Sequence, residues 1–235
     1  MSDIFQEVDE EVRSDRFKAY WQAYGAYIIA TAVLIILITS GRVIWKDYTE
    51  SRAEAESESF ANAFQLEESG KSSEAIAAYN DLAATASTGV ATLAQLRAAG
   101  ALLAAGREDE AIAAYEHLAG DDRADREIRE LASLNAASLM MGRNPSDDVR
   151  ARLEKLAVDD GAWKSSAKEL LGVMAYREGD TETARALFTD LLAANDAPRS
   201  LRTRVAAFLS MMDAAEGVAD NKDTTNDAPQ GEGQS

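Results

Sequence analysis

The longest apolar run in the chain lies near its start and contains no charged residue. Residues 19–41 lack Asp, Glu, Lys and Arg, and eight Ile, Leu and Val residues fall between Ile28 and Ile38. At about 1.5 Å per residue, a helix over residues 26–44 is roughly 28 Å long, close to the ~30 Å hydrocarbon core of a bilayer. Aromatic residues flank the run, as is typical of the membrane–water interface: Tyr20, Trp21, Tyr24 and Tyr27 before it, and Trp45 and Tyr48 after it. The pattern predicts one transmembrane helix over 19–45, in preference to a buried core helix.

The segments around this run indicate an uncleaved anchor but leave its orientation open. Residues 1–18 form a short acidic tail, interpreted as a helix at the membrane surface or as a docking helix for a partner. No small-x-small cleavage site follows Ser40, so the run does not resemble a cleaved signal peptide. The positive-inside rule favours neither orientation, because three basic residues stand on each side: Arg13, Arg16 and Lys18 against Arg42, Lys46 and Arg52.

After a charged helical lead-out over 46–68, the apolar pattern becomes a repeat over 69–197. The sequence EAIAAY occurs at 74–79 and again at 110–115. A glycine is followed after five residues by Ala, after nine by an aromatic residue and after twelve by Leu. Three copies share these positions: Gly70, Ala75 and Tyr79; Gly106, Ala111 and Tyr115; and Gly179, Ala184 and Phe188. A further copy fits from Gly142 if two residues are inserted after it.

This spacing predicts pairs of helices that stack on one another. The glycine ends the first helix of each pair, helix A, in a conformation that other residues adopt at a cost. The small Ala lets the second helix, helix B, approach closely, and the aromatic residue fills the gap to the next pair. One pair cannot bury its apolar face alone, so the pairs form a solenoid.

The predicted fold is therefore all-α, with a single N-terminal transmembrane helix followed by an α-solenoid of about four helix pairs. Pro198 suits the first position of a capping helix over 198–219, which would shield the last pair. Residues 220–235 are polar and poor in apolar side chains, and we expect them to be disordered.

Composition argues against several classes of function. The chain has 235 residues and a net charge of −17, which disfavours nucleic-acid binding. It has no cysteine and one histidine, His117, so a metal site, a thiol nucleophile and a His-based triad lack their parts. The sequence Gly70-Lys71-Ser72 resembles the end of a phosphate-binding loop, but Gln65 replaces the glycine that this motif requires. No catalytic residue, metal, cofactor or small-molecule substrate is predicted.

The repeat resembles the tetratricopeptide repeat, with Leu171 and Gly172 at the helix-A signature positions before Gly179. This resemblance implies that helix A lines a concave groove. Counting back from each glycine gives a mostly apolar set, of which several members could equally be core: Phe60, Phe64, Leu93, Leu96, Leu103, Leu139, Met140, Val173 and Tyr176. The basic cluster with which such repeats grip a terminal carboxylate is missing, and only Arg129 and Arg177 could stand in. We expect the groove to favour apolar segments or a partner helix.

The order of the segments is similar to that of a bacterial inner-membrane family, the tetratricopeptide-like ancillary subunits of the Sec translocon. The likeness rests on SDIFQEVDEEVR at 2–13, on Tyr24-Gly25 at the entry to the anchor and on Trp45 at its exit. It implies a cytoplasmic N-terminus, a periplasmic repeat domain, and translocon subunits and periplasmic chaperones as partners.

Three hypotheses follow for the function. The first is an anchored interaction module at the translocon that recruits chaperones or exported chains. The second is a scaffold of the same kind that faces the cytosol. The third is an enzyme, which is disfavoured because the sequence has no nucleophile–base pair, metal cluster or cofactor loop.

Overall fold

The computed structural model describes residues 3–143, 146–158 and 161–226, and within them the chain is helical and contains no strand. Nine helices are described: α1 (Asp3–Glu68), α2 (Ser72–Thr85), α3 (Thr88–Ala104), α4 (Glu108–Ala119), α5 (Arg126–Arg143), α6 (Asp147–Leu156), α7 (Lys164–Arg177), α8 (Thr181–Ala193) and α9 (Arg199–Asn226). The all-α prediction is confirmed.

Helix α1 is continuous through the predicted acidic tail, anchor and lead-out. No glycine or proline lies between Gly41 and Gly70, so no residue interrupts the helical hydrogen bonds there. From Tyr24 onward the helix is long and apolar enough to cross a membrane, with a mean hydropathy of 2.1 and none of its most apolar window buried in protein. Residues 1–58 form one compact unit and residues 59–235 form the second.

The second unit is a stack of helix pairs. The end of α1 pairs with α2, and α3 with α4, α5 with α6 and α7 with α8 are the next three pairs. Each helix packs chiefly against the helices before and after it, and the helices A of the third and fourth pairs, α5 and α7, also touch. Contacts that are local in sequence hold such a solenoid together.

Three of the four predicted turn glycines end a helix A in the left-handed region. Gly70, Gly106 and Gly179 have φ of 74°, 75° and 86°. In each turn the residue after the glycine donates its backbone N–H to the carbonyl five residues earlier, at 2.9–3.0 Å. This is the hydrogen bond of a Schellman cap, which satisfies a helix-end carbonyl and needs a residue with positive φ.

The prediction that Gly142 plays the same part is wrong. Gly142 lies inside α5, which continues to Arg143. The correct register follows from a small, buried residue of each helix A that keeps a fixed distance in sequence from the buried residues of helix B. These are Ala63, Ala99, Ala137 and Gly172.

Each of these four small sites is followed after 12, 16 and 19 residues by three buried side chains of helix B. The buried sets are Ala75, Tyr79 and Leu82; Ala111, Tyr115 and Leu118; Val149, Leu153 and Leu156; and Ala184, Phe188 and Leu191. A turn glycine stands seven residues after the small site in three pairs. In the third pair that position is residue 144, which lies outside the described residues. Two extra residues belong instead to the connection before α5, because Leu118 and Ala132 are 14 apart whereas Leu82 and Ala94 are 12 apart.

Helix α9 packs against α8 and α7 and so extends the stack as a cap. It begins just after Pro198, whose carbonyl accepts the first helical hydrogen bond from Arg202 at 3.0 Å. The rings of Phe188 and Phe208 stack with their centroids 5.4 Å apart. The helix continues to Asn226 and so extends into the segment for which disorder is predicted. Residues 227–235 of the predicted tail lie outside the described residues.

Candidate interaction surface

Most of the predicted groove residues lie on one face of the helices A. Counted from the small site, the positions −6, −3, +1 and +4 fall within about 80° of the helix circumference, since successive residues are 100° apart. We name this face the helix-A arc. Seven of the nine predicted residues occupy it: Phe60, Phe64, Leu93, Leu96, Leu103, Val173 and Tyr176.

Burial divides these seven residues into two groups. Phe60, Leu96, Val173 and Tyr176 are partly buried against the core clusters of the second unit. Phe64, Leu93 and Leu103 remain exposed, at 39%, 43% and 38% of their full accessible surface. The surface able to contact a partner is therefore richest in apolar atoms at the first two pairs.

Leu139 and Met140 do not belong to the helix-A arc. Measured from Ala137 they stand at +2 and +3, which are turned away from the arc, and both pack partly buried against core clusters. The difference arises from counting back from Gly142, which stands five residues after Ala137, whereas the turn glycines of the other pairs stand seven residues after the small site. The third helix A carries Leu131, Leu134, Ser138 and Met141 on the arc instead, and the fixed distance of 12 residues to Val149 could have revealed this register.

Aromatic side chains of the arc contact both the next helix A and the helix B of their own pair. The guanidinium carbon of Arg97 lies 5.6 Å from the centroid of the Phe64 ring, in the geometry of a cation–π contact. The ring of Phe60 meets that of Tyr79 edge-on, with centroids 5.6 Å apart. These contacts help to hold the aromatic side chains of the arc in place, and Phe64 remains partly exposed.

An acidic residue of the arc is bound to helix B. Glu67, at +4 in the first pair, accepts a hydrogen bond of 2.9 Å from the Tyr79 hydroxyl. Burial of the phenol, together with the bond to this carboxylate, raises the pKa of Tyr79 to about 12. The pKa of Tyr115, its counterpart in the second pair, is also raised by burial.

The two arginines considered as carboxylate clamps are not together on the arc. Arg177 donates to the carbonyl of Met141 at 3.2 Å and so links two successive helices A. Arg129 lies near the start of α5, on a face away from the arc, and pairs with Asp122 at 3.0 Å. His117 is exposed on α4. Among the described residues, no three His, Asp or Glu side chains come together in a group that could hold a metal ion.

A comparison with protein families identifies the repeats. The model of a family described as tetratricopeptide repeat-like domain matches residues 18–211, more than half of the chain. No curated protein and no solved structure matches the chain significantly. Domains of this kind typically serve as non-enzymatic scaffolds that bind other proteins. The chain therefore belongs to the tetratricopeptide repeat-like domain family, as this match, the stacked helix pairs and the three left-handed turn glycines together establish.

Proposed function

We propose that the protein is a membrane-anchored interaction module that binds apolar segments or helices of partner proteins through the helix-A arc. The observation that carries this proposal is the exposure of Phe64, Leu93 and Leu103 on that arc. Exposed apolar side chains grouped on one face favour protein contact. The same chain contains a helix long and apolar enough to cross a membrane, which would keep the module at the bilayer.

The partners that fit best are subunits of the Sec translocon and periplasmic chaperones that receive exported chains. This part of the proposal is supported by the resemblance of residues 2–13, Tyr24-Gly25 and Trp45 to the ancillary translocon subunits. The N-terminus would then be cytoplasmic and the repeats periplasmic, in the bacterial inner membrane. The module would supply no catalytic group of its own.

The orientation can be tested with two reporters fused after Gly217. A reporter that is active only after export should be active there, and one that is active only in the cytosol should be silent. The reverse result would place the repeats in the cytosol and favour a cytosol-facing scaffold.

The partners and the surface can be tested together. The full chain, purified in detergent after crosslinking in cells, should recover translocon subunits. Leu93→Ser and Leu103→Ser should each lower that recovery about five- to tenfold, as expected for the loss of an interface anchor. Leu192→Ser is the matched control, because Leu192 is equally apolar and exposed but lies on α8, a helix B.

Recovery of translocon subunits that is unaffected by either arc variant would contradict the role of the arc. Repeated recovery of none of them would contradict the translocon assignment.

A further inference from the structure

An open cleft of about 880 Å³ lies between α4, the first half of α5, and α6. Its α5 residues stand 4, 7, 8 and 11 positions before Ala137, on a face different from the helix-A arc. The cleft is therefore a surface separate from the one assigned above to apolar partners. Its volume is within the range of clefts that hold ligands.

The cleft adjoins the connection that carries the two extra residues of the repeat. Within residues 120–125, Gly120 lines the cleft and Ala124 is buried. The Asp121 carboxylate accepts hydrogen bonds from the backbone N–H of Arg123 at 3.0 Å and from its guanidinium at 2.8 and 3.0 Å. These bonds lower the pKa of Asp121 to about 2, so the connection is held by a carboxylate that stays ionised.

The charge of the cleft is opposite to that of the chain. Four basic side chains line it against two acidic ones: Arg126, Arg129, Arg152 and Lys155 against Glu116 and Glu130. The chain as a whole has a net charge of −17. A concave basic surface on an acidic protein concentrates anions locally.

Two of the arginines are already oriented by the acids of the cleft. Arg126 bonds to Glu130 at 2.7 Å, and Arg152 bonds to Glu116 at 3.0 Å. Such pairs fix the planes of the guanidinium groups, which prefer carboxylates in a two-point geometry.

Arg129 has a donor that its own pairing does not use. One terminal nitrogen bonds to Asp122, a side chain that is almost fully exposed. The Nε atom is buried and finds no acceptor within the part of the chain that the structure describes. The Arg129 side chain is 33% exposed and lines the cleft, so the N–H groups of its other terminal nitrogen can donate to a carboxylate bound there.

We propose that this cleft binds an acidic peptide segment of a partner protein, with the carboxylates held by Arg129, Arg152 and Lys155. The planar guanidinium groups can bind a carboxylate through two hydrogen bonds, and the Lys155 ammonium adds a positive charge without a fixed bonding geometry. The protein would thus contact partners at two surfaces, one apolar and one basic. Two weak contacts on one partner raise the overall affinity without any further interaction.

The test uses the full chain in detergent and a tetraglutamate peptide with blocked ends, with tetraglutamine and inorganic phosphate as comparison ligands. We expect saturable binding of tetraglutamate that weakens as salt is raised, and no binding of tetraglutamine. Arg129→Gln and Lys155→Gln should each weaken binding about tenfold. Arg107→Gln should change it less than twofold, because Arg107 is an equally charged residue that pairs with Glu110 away from the cleft.

Three results would overturn the proposal: absence of saturable tetraglutamate binding, an equal loss in the Arg107 variant, or phosphate binding as tight as that of the peptide. Circular dichroism of each variant checks that the helices remain folded. Lys155 is exposed at the surface, so its variant still provides the answer if the Arg129 variant fails to fold.

Discussion

At the scale of single residues, α7 and α8 approach each other closely at Gly172. A Cβ atom added there would lie 2.5 Å from Cε1 of Phe188 and 2.9 Å from its Cζ. The Phe188 ring is fully buried and stacks on Phe208, so it has little room to move away. The other three pairs hold Ala at this site, whereas Gly172 leaves the space of that methyl group to the Phe188 ring.

Gly172→Ala should therefore lower the free energy of unfolding, since overpacking a dense core costs about 1–3 kcal/mol. Gly89→Ala is the control, because Gly89 is also helical but has no atom within 4 Å of an added Cβ. Thermal unfolding of the two variants in the same detergent should differ by several degrees, with Gly172→Ala the less stable. Equal midpoints would show that the ring can shift freely.

The turn glycines provide a second comparison. Gly179 has a φ of 86°, in a region that costs an L-residue about 1–2 kcal/mol. Gly142 is helical and has open space around it, so Ala there should stabilise α5 by up to about 1 kcal/mol. We expect Gly179→Ala to unfold at a lower denaturant concentration than the native chain, and Gly142→Ala at a higher one. The opposite order would restore Gly142 as the turn residue.

Tyr79 connects stability to alkaline pH. Its pKa is about 12 in the folded chain and about 10 in an unfolded one, so folding favours the neutral phenol. This contribution is complete below pH 10 and is lost as the pH rises from 10 through 12. Between pH 9 and pH 12 the unfolding midpoint of the native chain should fall more steeply than that of Tyr79→Phe. Parallel curves for the two proteins would contradict this role for Tyr79.

At the scale of helices, a two-point ion pair joins the cap to the last pair. The Glu169 carboxylate on α7 accepts hydrogen bonds of 2.8 and 2.6 Å from the guanidinium of Arg204 on α9. Only 10% of the Glu169 side chain is exposed, whereas 56% of Arg204 is. The positive charge of Arg204 thus balances the negative charge of the largely buried Glu169 carboxylate. This ion pair helps to fix the position of α9 on the stack.

Arg204→Gln should destabilise the chain by about 1–2 kcal/mol, because it leaves a largely buried carboxylate without its two donors. Arg199→Gln, an exposed position on the same helix, should have a small effect. The double variant Glu169→Gln/Arg204→Gln should lose less than the sum of the two single losses, which chemical unfolding can measure. Additive losses would mean that the two side chains act independently.

At the scale of the whole molecule, the apolar stretch of α1 and the stack of helix pairs follow different physical rules. The stack buries its apolar side chains in clusters shared between neighbouring helices. The stretch around Ile35 exposes nearly all of its aliphatic side chains, a composition that is stable in lipid and costly in water.

Two charges placed in the stretch should abolish anchoring. An arginine at the centre of a membrane helix costs about 2.5–3.5 kcal/mol, comparable to the gain from all eight aliphatic residues at about 0.3–0.6 kcal/mol each. Ile35→Arg/Ile38→Arg should therefore be lost from membranes washed with alkaline carbonate, whereas Tyr48→Arg, beyond the uncharged run, should stay with them. Retention of the double variant would contradict a membrane-spanning role.

Much of the fold was predictable because its signals are local. Each signal can be read from about twenty consecutive residues. The signals are the periodic spacing of apolar residues, the absence of glycine and proline over residues 42–69, and the recurring distance from a glycine to an aromatic residue. A helix needs only neighbouring residues to satisfy its backbone, and a repeat shows its period directly in the sequence. For these reasons the sequence was sufficient to predict the helix pairs, the capping helix and three turn residues, Gly70, Gly106 and Gly179.

The two interaction surfaces were harder to predict from the sequence, because each depends on the helical register and on more than one helix. A shift of two residues at Gly142 moved Leu139 and Met140 onto the wrong face, since each residue turns a helix by 100°. Exposure at Phe64 depends on how far α3 leaves its ring uncovered, and the cleft at Arg129 depends on three helices and an insertion between them.

The amino-acid sequence by itself thus determined the membrane-length helix, the helix pairs and the turns between most of them, because short-range periodicity and glycine stereochemistry encode them. Tertiary structure alone decided which side chains of the arc stay exposed and that four basic residues meet in one cleft. Those outcomes require the distances between separate helices, which no local pattern contains.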